Sequence, residues 1–172
     1  MKPSEFIEKY MMGKCFDHFT DTRNVPSIKS HGLMSLHLLR EKGIAPPAAG
    51  GNDWSHEADE RLGLHSYVHL CFLDQHPMEW TIRQDGRIKD TVFIKVDKSV
   101  LTRPEILLSD DVSNKAGVET FDFTRALDLM DFPVIYERTD WKDAAVQERR
   151  KVAKKYELLV PDHISADLLS GY

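Results

Sequence analysis

The stretch Lys14-Cys15-Phe16-Asp17-His18-Phe19-Thr20-Asp21-Thr22-Arg23-Asn24-Val25-Pro26-Ser27-Ile28, followed by His31-Gly32-Leu33, packs several structural signals into a short span. Residues 14–20 carry aromatic content, as a strand does. Asn24 is a good helix N-cap, and Pro26 falls in the first turn, where a missing N–H costs little. Gly32 suits the residue just past a helix end, because it adopts a left-handed backbone without strain. The span therefore reads as strand, tight turn, short helix and stop. It leaves His18, Thr20 and Asn24 at a strand end, where ligand sites often form. Taken alone, the same residues also suit a core histidine, a turn threonine and a plain cap.

Outward from this stretch, residues 1–12 read as a leading helix and Ser35–Glu41 as a second short one. Residues 46–53 form a loop by composition, and Ser55–Leu62 a further helical turn or two. Ser66–Leu73 is a strand with Tyr67, His69, Cys71 and Leu73 on one face and Val68, Leu70 and Phe72 on the other. Thr91–Val96 and Glu105–Ser109 are further strands. Thr124 is expected to cap a helix through Met130, and Asp140 a basic helix through Lys155. Leu158-Leu159-Val160 reads as a buried strand ended by Pro161, with Glu157 at its entrance. A carboxylate there is costly unless it is solvated or paired. Strands and helices mix without strict alternation, which implies an α+β fold rather than a doubly wound sheet.

Composition sets the frame. The chain has 172 residues, 41% hydrophobic and 30% charged, and is expected to form one domain over residues 1–172. No apolar run reaches the ~18 to 20 residues of a membrane span, and Met1–Phe6 lacks a signal-peptide stretch. Two cysteines, Cys15 and Cys71, make no disulfide framework, so a reduced, cytoplasmic protein is expected. Net charge is −5, which argues against nonspecific coating of nucleic acid. The charge is segregated, however. Residues 138–155 carry seven basic and three acidic side chains, net +4, which leaves about −9 elsewhere. There is no G-x-G-x-x-G, P-loop, H-E-x-x-H or G-x-S-x-G. Cys15 and His18 are spaced C-x-x-H, but on a strand they face opposite ways, so no metal site is expected.

Read together and in order, these pieces resemble the DarT family of nucleic-acid ADP-ribosyltransferase toxins. The resemblance runs through His18–Ile28, His31-Gly32-Leu33, Tyr67-Val68-His69-Leu70-Cys71-Phe72, His76-Pro77-Met78, and Leu108-Ser109-Asp110 to Asn114. It continues through Arg149-Arg150-Lys151-Val152-Ala153 and Tyr156–Pro161. It implies an ADP-ribosyltransferase-like split β-sheet core with flanking helices and an NAD cleft. NAD is then the substrate, with no metal. By motif, His18, Thr20, Asn24 and Tyr67 would bind NAD, and Glu157 would be the catalytic glutamate. Arg61, with Arg40 as the fallback, would be the catalytic arginine. His69 stands where the family pattern has proline, and Cys71 where it has a second tyrosine.

The resemblance gives the basic segment a purpose. Arg149, Arg150, Lys151 and Lys154 would guide a single strand toward Glu157, with DNA favoured over RNA. Residues 44–65 would cover NAD, and Trp54 and Tyr67 would stack a ring. The resemblance further implies the toxin of a toxin–antitoxin or phage-defence system, countered by a macrodomain antitoxin; a monomer is the default expectation. Other readings are transfer to RNA or protein, an NAD-using RNA 2′-phosphotransferase, and a non-catalytic NAD-binding or partner-binding domain.

Overall fold

The computed structural model describes residues 1–48, 53–84, 86 and 88–172, with only the backbone for 53–55. Eight α-helices among the described residues are α1 (Pro3–Tyr10), α2 (Val25–His31), α3 (Leu36–Glu41), α4 (Asp53–Leu62), α5 (Pro77–Gln84), α6 (Phe123–Leu129), α7 (Phe132–Tyr136) and α8 (Ala144–Ala153). The strands are β1 (Phe16–Asp21), β2 (Leu33–Met34), β3 (Tyr67–Cys71), β4 (Thr91–Val96), β5 (Leu107–Ser109), β6 (Glu157–Pro161), β7 (His163–Ile164) and β8 (Leu169–Ser170). No described helix is long and apolar enough to cross a membrane.

Six strands form an antiparallel sheet in the order β5-β6-β3-β1-β4-β8, and β2 pairs with β7. The sheet is really two ladders. β1 and β4 pair over their whole length, from Phe16↔Val96 to Asp21↔Thr91. β3 and β6 pair from Tyr67↔Pro161 to Cys71↔Glu157, and Ser109 of β5 also opposes Glu157. Between the halves only Asp17↔Cys71 is in register. Beyond that point the strands part, and the His18 ring takes over from the ladder: its Nδ1–H donates to the His69 carbonyl at 2.9 Å. The split sheet of an α+β fold is thus present.

The core explains the strand alternation. Val68, Leu70, Phe16, Ile94, Leu108 and Leu158 are all buried in one cluster. Phe6 from α1 meets Phe123 and Phe132 edge-on, with centroids 5.6 and 4.7 Å apart, a favoured aromatic geometry. Tyr67, His69 and Cys71, on the alternate positions of β3, line a cavity.

Several helix starts differ from expectation. Asn24 stands at the cap position of α2, but its side chain caps nothing there. Asp122, not Thr124, caps α6, accepting from the Arg125 N–H at 2.9 Å. Asp143, not Asp140, caps α8, accepting from the Ala145 N–H at 2.7 Å. Asp140 is used one turn earlier, by the Lys142 N–H. The basic helix therefore ends at Ala153, and Lys154 and Lys155 lead into β6. Gly32 ends α2 as expected, with φ 78°. A Cβ there would fall on the Ile164 carbonyl and 2.7 Å from the His163 ring, so a side chain at this position has no room.

Candidate active site

A cavity of about 290 Å³ opens where the two ladders part. That is near the lower end of small-molecule sites. Its walls come from β1, β3, the start of α2, the start of β6 and the segment after β5. Glu157, His18, Thr20, Asn24, Tyr67, His69, His76 and Ser113 all line it.

Glu157 is buried, and its neighbours account for that. Ser113 donates twice to Oε2, from its hydroxyl at 2.5 Å and its backbone N–H at 3.2 Å. His69 Nδ1 lies 3.4 Å from the same oxygen. His76 Nε2 lies 3.4 Å from Oε1. Its Nδ1 accepts the Met78 N–H at 3.3 Å, so the ring proton sits on Nε2, facing the carboxylate. The 3.4 Å approach is off hydrogen-bond alignment, and Nε2 is a buried atom without a hydrogen-bond partner. The ring is buried and stacks on Phe19, with centroids 5.7 Å apart, which holds it beside Glu157. Burial pushes the Glu157 carboxyl up, but its contacts with His69 and His76 outweigh burial and hold it well below the usual range. The group is an ionised carboxylate inside a cavity.

His69 answers to the same pair. Burial disfavours its charged form, but the Glu157 contact, the Asp59 charge and the Leu64 carbonyl, 3.4 Å from Nε2, raise its pKa overall. His18 goes the other way. Burial lowers its pKa, while its Nδ1–H bonds the His69 carbonyl. The ring is thus neutral, with Nε2 left as an acceptor.

Asn24 holds the cavity edge. Its Nδ2 donates to Thr20 Oγ1 at 3.0 Å and to the Ala48 carbonyl at 2.7 Å, and its Oδ1 accepts the Ala48 N–H at 2.9 Å. It pins the segment after α3 onto the end of β1. Thr20 Oγ1 receives one of these bonds and keeps its own hydroxyl hydrogen. Behind Glu157, the Asp131 N–H donates to Tyr156 Oη at 3.0 Å, and Asp131 takes a two-point bond from Arg149 at 2.6 and 2.9 Å. This brace fixes the approach to β6.

The two arginines named from sequence lie elsewhere. Arg61 is exposed in the last turn of α4 and Arg40 pairs with Glu60; neither lines the cavity. Of the basic group, Arg149 is committed to Asp131, and Arg150 donates to the Val134 carbonyl at 3.1 Å. Lys151 is exposed and Lys154 half-exposed. Residues 49–52 and the Trp54 side chain lie outside the described residues. Sequence reasoning missed Ser113 and His76, although both fall in segments that carry the family resemblance, and it missed Asp59. Asp59 lines the cavity with one buried carboxylate oxygen unpartnered.

Among solved structures, the chain is similar to Thermosipho africanus DarTG in complex with ADP-ribose. The TM-score is 0.63 at 18% identity, over 91% of this chain and 42% of that one. This chain thus spans less than half of the Thermosipho chain. It is also similar to Thermus sp. 2.9 DarT in complex with ADP-ribosylated ssDNA, at TM-score 0.62 and 17% identity, covering 91% of this chain and 80% of that one. The same Thermus protein in complex with NAD+ matches at TM-score 0.57 and 16% identity, over 90% and 78% of the two chains. At these identities the likeness shows the fold. No curated protein matches by sequence. The family model for DarT, described as ssDNA thymidine ADP-ribosyltransferase, matches residues 18–171. Covering nearly the whole chain, that match makes it a member of the DarT family.

Proposed function

We propose that this protein transfers ADP-ribose from NAD to thymidine in single-stranded DNA, with Glu157 as the catalytic carboxylate. One observation carries the reading: an ionised, hydrogen-bonded carboxylate is held in a cavity at the parting of a split sheet. A negative charge so placed stabilises positive charge developing nearby far better than it would in water.

The bond to be broken joins nicotinamide to the ribose C1″. Its electron pair leaves with nicotinamide, and the sugar passes through an oxocarbenium-like state, as in glycoside cleavage. Glu157 offsets that charge and accepts a hydrogen bond from a ribose hydroxyl. The thymine ring nitrogen not already bonded to deoxyribose then forms the new bond to C1″ and releases its proton, which Glu157 is positioned to take. Neutral His18 and the free hydroxyl hydrogen of Thr20 offer an acceptor and a donor to the nicotinamide side. The half-buried Tyr67 ring supplies a flat wall. Asn24 serves by holding the Ala48 segment in place. Arg61 would meet the pyrophosphate or the acceptor only from the rim. The base must be reachable, so a single strand is the economical substrate, with no duplex to open.

The resemblance supports a toxin role, with a macrodomain antitoxin that removes the product. The test of the transfer itself is direct. The protein is incubated with NAD and single-stranded oligonucleotides that contain or lack thymidine. A mass gain of one ADP-ribose confined to thymidine-containing strands is expected. Labelling of RNA or of protein instead would overturn the acceptor assignment.

A further inference from the structure

A second basin, of about 280 Å³, lies beside the active site and is lined by Gln75, Trp141, Gln147, Arg150, Lys151 and Lys154. We propose that it is a base-stacking subsite for the DNA strand flanking the target thymidine, with Trp141 as the platform. This rests on the single-stranded DNA acceptor proposed above.

Trp141 is 69% exposed. Lys142 Nζ lies 5.6 Å from the ring centroid, so a cation already stands beside the exposed indole. The Trp141 backbone is fixed. Gln147 Nε2 donates to the Trp141 carbonyl at 3.1 Å, and Asp140 closes the turn through the Lys142 N–H. Gln147, Arg150, Lys151 and Lys154 recur at helical spacing, so they share one side of α8 and its end, while Val146 and Ala153 turn to the core. Lys154 has no ion-pair partner among the described residues, and Lys151 has only a 3.8 Å contact to exposed Glu148.

The chemistry selects the ligand. Every base offers a flat face to an indole whatever its identity, and cations beside it neutralise the phosphates. Paired bases in a duplex have both faces occupied, so only a single strand fits. The amides of Gln75 and Gln147 add sequence-tolerant hydrogen bonding. The position also fits. Gln75 directly precedes His76, which faces Glu157, and Lys154 stands three residues before Glu157. A strand stacked on Trp141 is thereby delivered to the cavity mouth.

The test compares the wild-type chain with Trp141→Ala and Trp141→Phe. Binding of a fluorescent oligothymidylate of about a dozen nucleotides is read by anisotropy, and transfer by KM for oligonucleotide and for NAD. Trp141→Ala should weaken oligonucleotide binding and raise its KM by roughly 5- to 100-fold. KM for NAD and the melting temperature should be unchanged, and Trp141→Phe should restore most of the loss. Unchanged oligonucleotide affinity in Trp141→Ala, or an equal loss of NAD affinity, would overturn the subsite. The two claims separate in the binding arm. Tryptophan-dependent binding without transfer to DNA would retain the subsite and refute the acceptor.

Discussion

Ser113 grips Glu157 with both of its donors: the hydroxyl at 2.5 Å and the backbone N–H at 3.2 Å meet the same carboxylate oxygen. The segment after β5 therefore sets the orientation of the buried charge. A hydrogen bond to a charged group contributes about 1.5–3 kcal/mol. Ser113→Ala removes the shorter bond and keeps the N–H. The expected outcome is a fall in kcat of roughly tenfold or more, with KM for NAD little changed. Steady-state kinetics check it; an unchanged kcat would mean the hydroxyl does not position Glu157.

His69 gives the fold a pH dependence with a definite sign. Its folded pKa lies above its ordinary value of 6.5, because the gain from Glu157 and Asp59 outweighs burial. Such a group contributes stability that is fully present below 6.5 and is lost as pH rises through the folded value. Glu157 is the opposite case: its contribution is present above its ordinary 4.5 and is lost as pH falls through its depressed value. Urea midpoints of the wild type should therefore exceed those of His69→Gln by more at about pH 6 than at about pH 9. A constant difference would mean that His69 does not titrate against Glu157.

Asn24 is a clamp whose polar atoms are all engaged. Asn24→Ala strands the Ala48 N–H and carbonyl, and an unsatisfied buried group costs about 1–3 kcal/mol. Stability should fall by about that amount, and KM for NAD should rise as the cavity edge loosens. Asn24→Asp keeps the bond from the Ala48 N–H but sets a carboxylate against the Ala48 carbonyl, so it should not rescue. Full stability of Asn24→Ala in chemical denaturation would refute the clamp.

Some parts of this structure were legible in the residues and others were not. The strand from Tyr67 was readable because its alternation is complete: Val68 and Leu70 enter the core, and Tyr67 and His69 enter the cavity. The stop at Gly32 was readable because only glycine suits that backbone and that crowding. The cap of α8 was misplaced because Asp140 and Asp143 carry the same local signal; only the turn around Trp141 decides between them. Asn24 looked like a cap because its true partner, Ala48, lies 24 residues away. Ser113 and His76 lie in segments that carry the resemblance, but their roles emerge only where the segments after β5 and β3 converge with β6 on Glu157.

The basic segment contains two kinds of cation. Arg149 is structural through Asp131, whereas Lys151 and Lys154 face the basin. Arg149→Ala should lower stability and disturb Tyr156 and Glu157, because the Asp131 brace is removed. Lys151→Gln with Lys154→Gln should leave stability alone and weaken binding to single strands. The pair should flatten the salt dependence by about 0.7 in log–log slope for each phosphate no longer neutralised. Titrations at several salt concentrations check this; an unchanged slope would remove both lysines from the DNA path.

The most direct measurement is transfer by Glu157→Gln beside the wild type, with labelled NAD and a thymidine-containing single strand. The amide keeps the shape and loses the charge. The wild type should add one ADP-ribose. The variant should be slower by roughly 100-fold or more, while still folding and binding NAD. A variant that transfers at the wild-type rate would show that the buried carboxylate is not the catalytic group.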